Sequence, residues 1–408
     1  MVPEPLLNTA EVAALLGVKP ATVYSYVSRG LLASRRNADG KNSLFAKSDI
    51  DVFIAGRERP TTPGIETGIT LIRNGQLYYR GHDAIRLAGS TSYETVATLL
   101  WTGEVSAAPE PEDDGRRPWE RTAEPFPVHS EMRDLALDLT SRLPATARLT
   151  DRLRVIVAAV SAADPLRFDT TPAAVIATGR QLIATMVHGL APTSGAAVTP
   201  ASLTRALWHR LTGAEPSESG LRALNAALVL LADHDIAAST LAARIAASTR
   251  AHPYAVVSAG LAALDGPLHG AASGLAYDMV RAASAPSGPI AAVSDHLRHG
   301  GPVPGFGHPL HPAGDPRARA LFGLIEDGPA KETALRLDET MRARSGTAAN
   351  IDLALAAFTL HHRMPAEAGE VIFAVARTAG WLAHALEEYR DRPLRFRPTG
   401  KYAGHQPP

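Results

Sequence analysis

Two histidines and one carboxylate sit in small-residue settings within a single stretch of the chain. His269 lies in Gly266-Pro267-Leu268-His269-Gly270, His308 in Gly305-Phe306-Gly307-His308, and Asp352 in Asn350-Ile351-Asp352. Imidazole gives or takes a proton near neutral pH, and a carboxylate can act as a base. Flanking glycines let the backbone approach a ligand closely and reach dihedrals that other residues resist. The three groups together suggest proton transfer on a small molecule. A histidine beside a glycine is also a common turn residue, so spacing alone does not decide the matter. His234, between Asp233 and Asp235, is a further polar cluster at the end of an apolar run. Carboxylate neighbours more often tune a histidine than help it hold a metal, and no metal is expected.

These residues need elements to hold them, and the pattern is mainly α. From Ser130 onward apolar residues recur at helical spacing, with Met132, Leu135, Ala136, Leu139 and Leu143 on one face. Residues 153–163 and 173–190 continue in that style, and 221–231 is apolar enough to be buried on most sides. Strand signals are few: 69–72 and 76–79, around Asn74-Gly75, read as a short β-hairpin. Ser92 opens a helix running to Trp101. Residues 103–127, rich in Pro, Glu and Asp, read as a surface loop, and 193–197 as another.

The first sixty residues read differently. Asn8 and Glu11 make a capping box, Pro20 opens a second helix, and Gly30 closes it. Residues 35–42 form a basic hairpin turned at Asp39-Gly40, and Ser48 caps a third helix holding Ile50, Val52 and Phe53. Two short helices with a tight turn suggest a helix-turn-helix. The whole resembles the winged form found in the MerR and excisionase families. That resemblance implies Thr22, Tyr24, Ser25 and Arg29 facing DNA, with Arg35, Arg36 and Lys41 on phosphates. Lys and Arg barely outnumber Asp and Glu here, and a small helical module can equally serve dimerisation or docking.

Composition sets outer bounds. A chain of 408 residues has room for two or three domains. It carries 41 Lys and Arg against 41 Asp and Glu, so the molecule as a whole has no bias toward nucleic acid or anionic membrane. The absence of cysteine excludes disulfides, thiol nucleophiles and Cys-ligated zinc. No apolar run reaches the roughly 18 residues needed to span a bilayer. The first residues lack the basic and apolar regions of a signal peptide, and a cytoplasmic protein is expected.

Seven blocks then occur in order: Leu77-Tyr78-Tyr79-Arg80-Gly81-His82-Asp83, Ala232-Asp233-His234-Asp235, the segments around His269 and His308, Asp315-Pro316-Arg317-Ala318, Asn350-Ile351-Asp352, and the run from Ala376-Arg377 to His384. Together they resemble the signature segments of the citrate synthase family, over about residues 65 to 404. The resemblance implies an all-helical two-domain fold, with a large domain over 67–270 and 347–408 and a small closing domain over 271–346. A winged helix-turn-helix over 1–58 and a linker over 59–66 precede it. A homodimer is implied as well.

The reaction implied joins acetyl-CoA to oxaloacetate and hydrolyses the product thioester to citrate and free CoA. Acetyl-CoA is a co-substrate, and no permanently bound cofactor is expected. Thioester methyl protons are weakly acidic, so a carboxylate of ordinary pKa near 4 removes one only if the enolate is stabilised as it forms. On the family pattern Asp352 is that base, and His269 donates to the thioester oxygen. His308 polarises and protonates the ketone of oxaloacetate. His234, Arg317 and Arg377 would hold oxaloacetate, and Arg397 would reach into the partner's site. Arginine suits this because its planar fork pairs bidentately with carboxylates and it never deprotonates. Val303, Gly305, Phe306 and Gly307 would touch CoA.

The chain also departs from the family. Pro309-Leu310-His311 follows His308 where many members carry Arg-Val-Tyr and use that arginine on a CoA phosphate. Arg298, Arg319 and Lys401 are candidates to replace it. Ala271 and Ser273 stand for a usual glycine and asparagine, and Leu231 and Ala237 for a histidine and an asparagine. The N-terminal helix-turn-helix is not part of the usual enzyme. Three readings stay open: a citrate synthase, a 2-methylcitrate synthase using propionyl-CoA, and a DNA-binding regulator that senses these ligands. One methylene is worth only about 1–3 kcal/mol, so motifs do not separate the first two. An intact Asp352 counts against a pure sensor.

Overall fold

The computed structural model describes residues 6–16, 18–28, 32–36, 43–50, 64–104, 117–122, 125–193, 202–398 and 404. The chain divides into two compact units, Met1–Glu66 and Thr67–Pro408.

In the first unit, the strands β1 (Leu6–Asn8), β2 (Arg35–Arg36) and β3 (Ser43–Ala46) form an antiparallel sheet in the order β1-β3-β2. Two helices, Thr9–Leu15 and Pro20–Ser28, follow β1. The Asn8 side chain accepts the N–H groups of Ala10 and Glu11 at 2.9 and 3.0 Å, and the Glu11 carboxylate accepts that of Asn8 at 2.8 Å. The expected capping box is therefore present. Val12, Ala13, Val23, Leu32, Phe45 and Ile50 form a small core. Ser48 is not a cap, because residues 47–50 are already helical. Gly30, Val52, Phe53 and the Asp39-Gly40 turn lie outside the described residues.

The second unit is mainly helical. Its hairpin pairs β4 (Thr70–Arg73) with β5 (Gln76–Tyr79) across Asn74 and Gly75, whose φ values are 53° and 73°. Both central residues at positive φ suit the tight turn that Asn-Gly makes between twisted strands. A third strand, β6 (His82–Asp83), adds to β5; two residues are too few to show an alternation in the sequence. The helices wrap around Ala368–Arg390, which is buried over nearly its whole length. Small residues set its crossings. A Cβ on Gly260 would lie 2.5 Å from the Trp381 ring, and one on Gly380 would lie 2.4 Å from the Ala232 carbonyl oxygen and 2.6 Å from Asp233 Oδ1.

Of the stretch 103–127, expected to be a surface loop, residues 105–116 and 123–124 lie outside the described residues, but the described part is anchored in the core. Trp119, in the 3₁₀ turn Pro118–Glu120, and Phe126 are both buried, and Phe126 stacks on Trp101 with ring centroids 5.8 Å apart. Pro, Glu and Asp dominate its composition and hide these two large aromatic side chains from a reading by composition. Among the described residues, no helix is long and apolar enough to cross a membrane.

The crossing at Gly380 has no room for a methyl group. Gly380→Ala should cost roughly 1–3 kcal/mol in urea unfolding, as overpacking does. Gly89→Ala, in the helix Ala84–Ser90 with no atom within 4 Å of the new Cβ, should instead leave stability equal or raise it by about 0.5–1 kcal/mol.

Candidate active site

The site is built from the start of one helix outward. Asn350 caps helix Ile351–His361, its Oδ1 accepting the Asp352 N–H at 3.0 Å, which places Asp352 in the first turn. The segment 305–307 runs beside 348–350. Gly307 N–H donates to Ala348 at 2.9 Å, Asn350 N–H to Gly305 at 3.0 Å, and the Asn350 amide to Gly307 at 3.1 Å. Gly305 and Gly307 hold φ of 86° and 73°, where a side chain is strained. This lattice sets His308 beside the cleft that Asp352 faces.

Asp315 caps helix Pro316–Phe322 and grips Arg317 through two bonds of 3.0 and 2.8 Å. Its Oδ2 also accepts the Ile351 N–H at 3.1 Å. One carboxylate thus fastens Arg317 to the start of the helix that carries Asp352. Arg377, from Ala368–Arg390, donates Nε–H to the Leu231 carbonyl at 2.8 Å and lies over the Phe373 ring at 4.6 Å. Its Nη1 is buried without a partner. His269 precedes helix Ala272–Ala283, with Nε2 2.7 Å from Ser239 Oγ; that oxygen also accepts Trp381 Nε1–H at 3.2 Å.

A cleft of about 510 Å³ is lined by His234, His269, His308, Arg317, Asp352 and Arg377. Val303, Gly305, Phe306 and Gly307 line it too, and Leu268, 93% exposed, stands at it with Phe373. Six of the seven residues expected to act on or hold a substrate therefore meet in one place. Arg397 does not: it is exposed and lines no part of this cleft. Nor do Arg298, paired with Asp295 at 3.2 Å, or Arg319; Lys401 lies outside the described residues.

Burial sets the protonation states. It pushes Asp352 up to about 7, with nearby Asp315 adding to the rise and Arg317 opposing it, and leaves Oδ1 without a partner. Burial draws His269 down to about 4, helped by Arg377, and His308 to about 4, helped by Arg317. Both rings are neutral at pH 7. His308 Nδ1 accepts the Leu310 N–H at 3.1 Å, so its proton sits on Nε2. Ser239 Oγ, which accepts from Trp381, can donate its own hydrogen to His269 Nε2, an arrangement that leaves the His269 proton on Nδ1. Burial also draws Arg377 down to about 10, still charged at neutral pH.

Residues 60–399 match the family model described as citrate synthase, C-terminal domain. The chain belongs to the citrate synthase family. Residues 6–58 match a helix-turn-helix domain. The citrate synthase of Haloferax volcanii is 32% identical over 357 residues, covering 81% of this chain and 90% of that protein. 2-Methylcitrate synthase 2 of Corynebacterium glutamicum is 28% identical over 355 residues, covering 81% and 89%. The crystal structure of citrate synthase from Thermotoga maritima MSB8 superposes with a TM-score of 0.65 at 26% identity, covering 85% of this chain and 95% of that one.

Within this citrate synthase fold, His234 differs from expectation. Its neighbours in sequence do not tune it. Asp233 accepts instead from Thr70 Oγ1 at 2.5 Å and lies 3.3 Å from His384 Nε2. His234 Nε2 lies 2.9 Å from His311 Nε2, and burial and then Arg317 hold it well below the usual histidine range. His311, noted in the sequence as a departure without a role, is therefore a buried partner of the site. Ser239 was not foreseen, and it carries no local signal, since 30 residues separate it from His269. Asp315 was legible as an acid before Pro316, the pattern of a helix cap. In the first unit, Tyr24 and Arg35 are exposed, Thr22 and Ser25 are half-buried, and Arg36 follows in β2. Arg29 and Lys41 lie outside the described residues.

The raised pKa of Asp352 has a stability consequence. The folded chain keeps a proton that the unfolded chain releases between about pH 4 and 7, so stability falls as pH rises through that window and stays reduced above it. Asp352→Asn removes this penalty. At pH 8 the variant should be more stable than the parent by on the order of a few kcal/mol, with the two converging near pH 4 in thermal unfolding.

Proposed function

We propose that this protein is a citrate synthase, condensing acetyl-CoA with oxaloacetate and hydrolysing the resulting thioester to citrate and CoA. The observation that carries this reading is Asp352, a buried carboxylate raised to about 7 that faces the same cleft as two neutral histidines and two buried arginines. A base is most effective when its pKa lies near the working pH. Asp352 takes a proton from the acetyl methyl group. His269 Nδ1–H donates to the thioester oxygen as negative charge moves onto it. The enol carbon attacks the ketone of oxaloacetate, whose oxygen is polarised by His308 Nε2–H. Arg317 and the open Nη1 of Arg377 take the carboxylates, with His234, and Arg397 completes the site from the partner of a homodimer. Residues 271–346 close over the substrates and exclude bulk water before the proton is removed.

Relatives bear both names, citrate synthase at 32% identity and 2-methylcitrate synthase at 28%, and the first favours acetyl-CoA over propionyl-CoA. Release of CoA thiol with oxaloacetate and each thioester tests this. Turnover should vanish in Asp352→Ala, and kcat/KM should be higher for acetyl-CoA. No turnover with either thioester sinks the reading, and a preference for propionyl-CoA turns it into 2-methylcitrate synthesis. In the parent, kcat/KM should fall as pH drops below about 7, because Asp352 must be ionised to act. Ser239→Ala should lower kcat roughly ten- to a hundredfold with little change in KM, since it frees the His269 tautomer without touching oxaloacetate.

The helix-turn-helix unit, with exposed Tyr24 and Arg35, supports a second activity, binding of DNA. Electrophoretic mobility shifts with the full chain should show binding that weakens in Arg35→Ala and as salt rises. Absence of any shift would leave a docking or dimerisation module.

A further inference from the structure

Away from the cleft, one buried arginine lacks a counter-charge. Arg210, on helix Leu203–Leu211, is 9% exposed, and its Nε is buried with no hydrogen-bond partner. No carboxylate among the described residues pairs with it; the charged neighbour that acts on it is another arginine, Arg133. A buried, unpaired cation is costly, and chains normally supply a partner. This chain does so elsewhere: Arg317 has Asp315, and Arg244 has Glu387 and Glu388. Arg377 also has a buried guanidinium nitrogen without a partner, Nη1, and it faces the cleft.

Two further side chains with N–H donors, one a neutral imidazole and one a guanidinium, lie on neighbouring helices. His188 ends helix Pro172–His188 and is 8% exposed, and Arg133 lies on helix Ser130–Ser141. Contacts between neighbouring residues hold these helices together. Gly189, directly after His188, packs so tightly on Ala136 that an added Cβ would lie 2.7 Å from it, and the Gly189 carbonyl accepts Thr140 Oγ1 at 3.2 Å. Arg133 is one turn before Ala136 on that helix. Thr193 donates N–H and Oγ1–H to the carbonyl of His209 at 3.0 and 3.1 Å, which ties the chain after His188 to the residue before Arg210. Burial, then Arg210, then Arg133 draw His188 down to about 4, with no carboxylate opposing them. Arg133 pairs with Asp134 at 2.8 Å, an exposed neighbour that leaves Arg210 uncompensated. None of the three lines the catalytic cleft.

We propose that Arg210, His188 and Arg133 form a second anion site, separate from the cleft, that takes a phosphate group. A guanidinium fork matches the oxygens of phosphate bidentately, and donors arriving from three helices suit a tetrahedral oxyanion better than a flat carboxylate. The group is either free inorganic phosphate or the phosphate of a small monoester.

Thermal unfolding of the full chain at constant ionic strength tests the site, with inorganic phosphate and adenosine monophosphate as separate titrants. The parent Tm should rise saturably with at least one of them, as ligand binding to the folded state requires. Arg210→Met should lose that rise, and its Tm without phosphate should equal or exceed the parent's, because an uncompensated buried charge has gone. Arg210→Lys keeps the charge but not the fork, and should need at least about tenfold more ligand for the same shift. Arg377→Gln, altered in the cleft, should keep the phosphate response. A lower half-saturation for the nucleotide assigns a phosphomonoester, and a lower one for the free ion assigns inorganic phosphate. A parent Tm indifferent to both, or a rise kept by Arg210→Met, overturns the site. So does a rise lost in Arg377→Gln alone, which would place the phosphate in the cleft.

Discussion

The Asp315 carboxylate is the fastening on which the cleft depends. It caps its own helix, holds the Arg317 guanidinium with both oxygens, and accepts the first N–H of the helix that carries Asp352. Burial alone would raise its pKa, but the charge and hydrogen bonds of Arg317 hold it below the usual carboxylate range. It therefore stays ionised, and an ionised acceptor makes stronger bonds than a neutral one. The fixed Arg317 charge then limits how far burial raises Asp352 and lowers both His234 and His308. Geometry and protonation in the cleft are consequences of the same ion pair.

Burial does the rest of the tuning. Asp352 lies in a first helical turn, where the dipole alone would favour the charged carboxylate. Desolvation outweighs that, because a charge taken out of water loses more than a helix end returns. The same loss leaves His269 and His308 neutral, so each can donate one hydrogen bond whose position is set by what the other ring nitrogen does. Ser239 and the Leu310 backbone are those setting partners.

Helix Ala368–Arg390 links the cleft to the interior. It supplies Arg377 to the site, Trp381 to Ser239, and His384 and Glu388 to a buried chain running from Asp233 through Arg244 to Arg395. A chain of paired charges is tolerated inside a protein only when each member is matched. Gly380 lets Asp233 approach this helix, while Gly260 and Gly179 let Trp381 and Leu382 pack closely. Among the described residues outside the cleft, Arg210 departs from this matching, and a bound anion would restore it.

Much of this was written into the linear order of residues. The capping box at Asn8, the Asn74-Gly75 hairpin and the helix opening at Ser92 depend on interactions within a few positions, so local chemistry determines them. The ordered blocks around His234, His269, His308, Arg317, Asp352 and Arg377 likewise mark the residues that meet in the cleft. Composition misled where bulk outweighs number: Trp119 and Phe126 anchor a stretch that reads as polar loop, and Ser48 lies within a helix that has already begun. Tertiary structure alone decided the partnerships. Ser239 with His269, His311 with His234 and Asp233 with Thr70 join positions 30, 77 and 163 residues apart. No periodicity records such pairs, and neither does it record the loss of water that moves Asp352 to about 7. A residue's type states which charges it can carry; the packing around it determines which one it does.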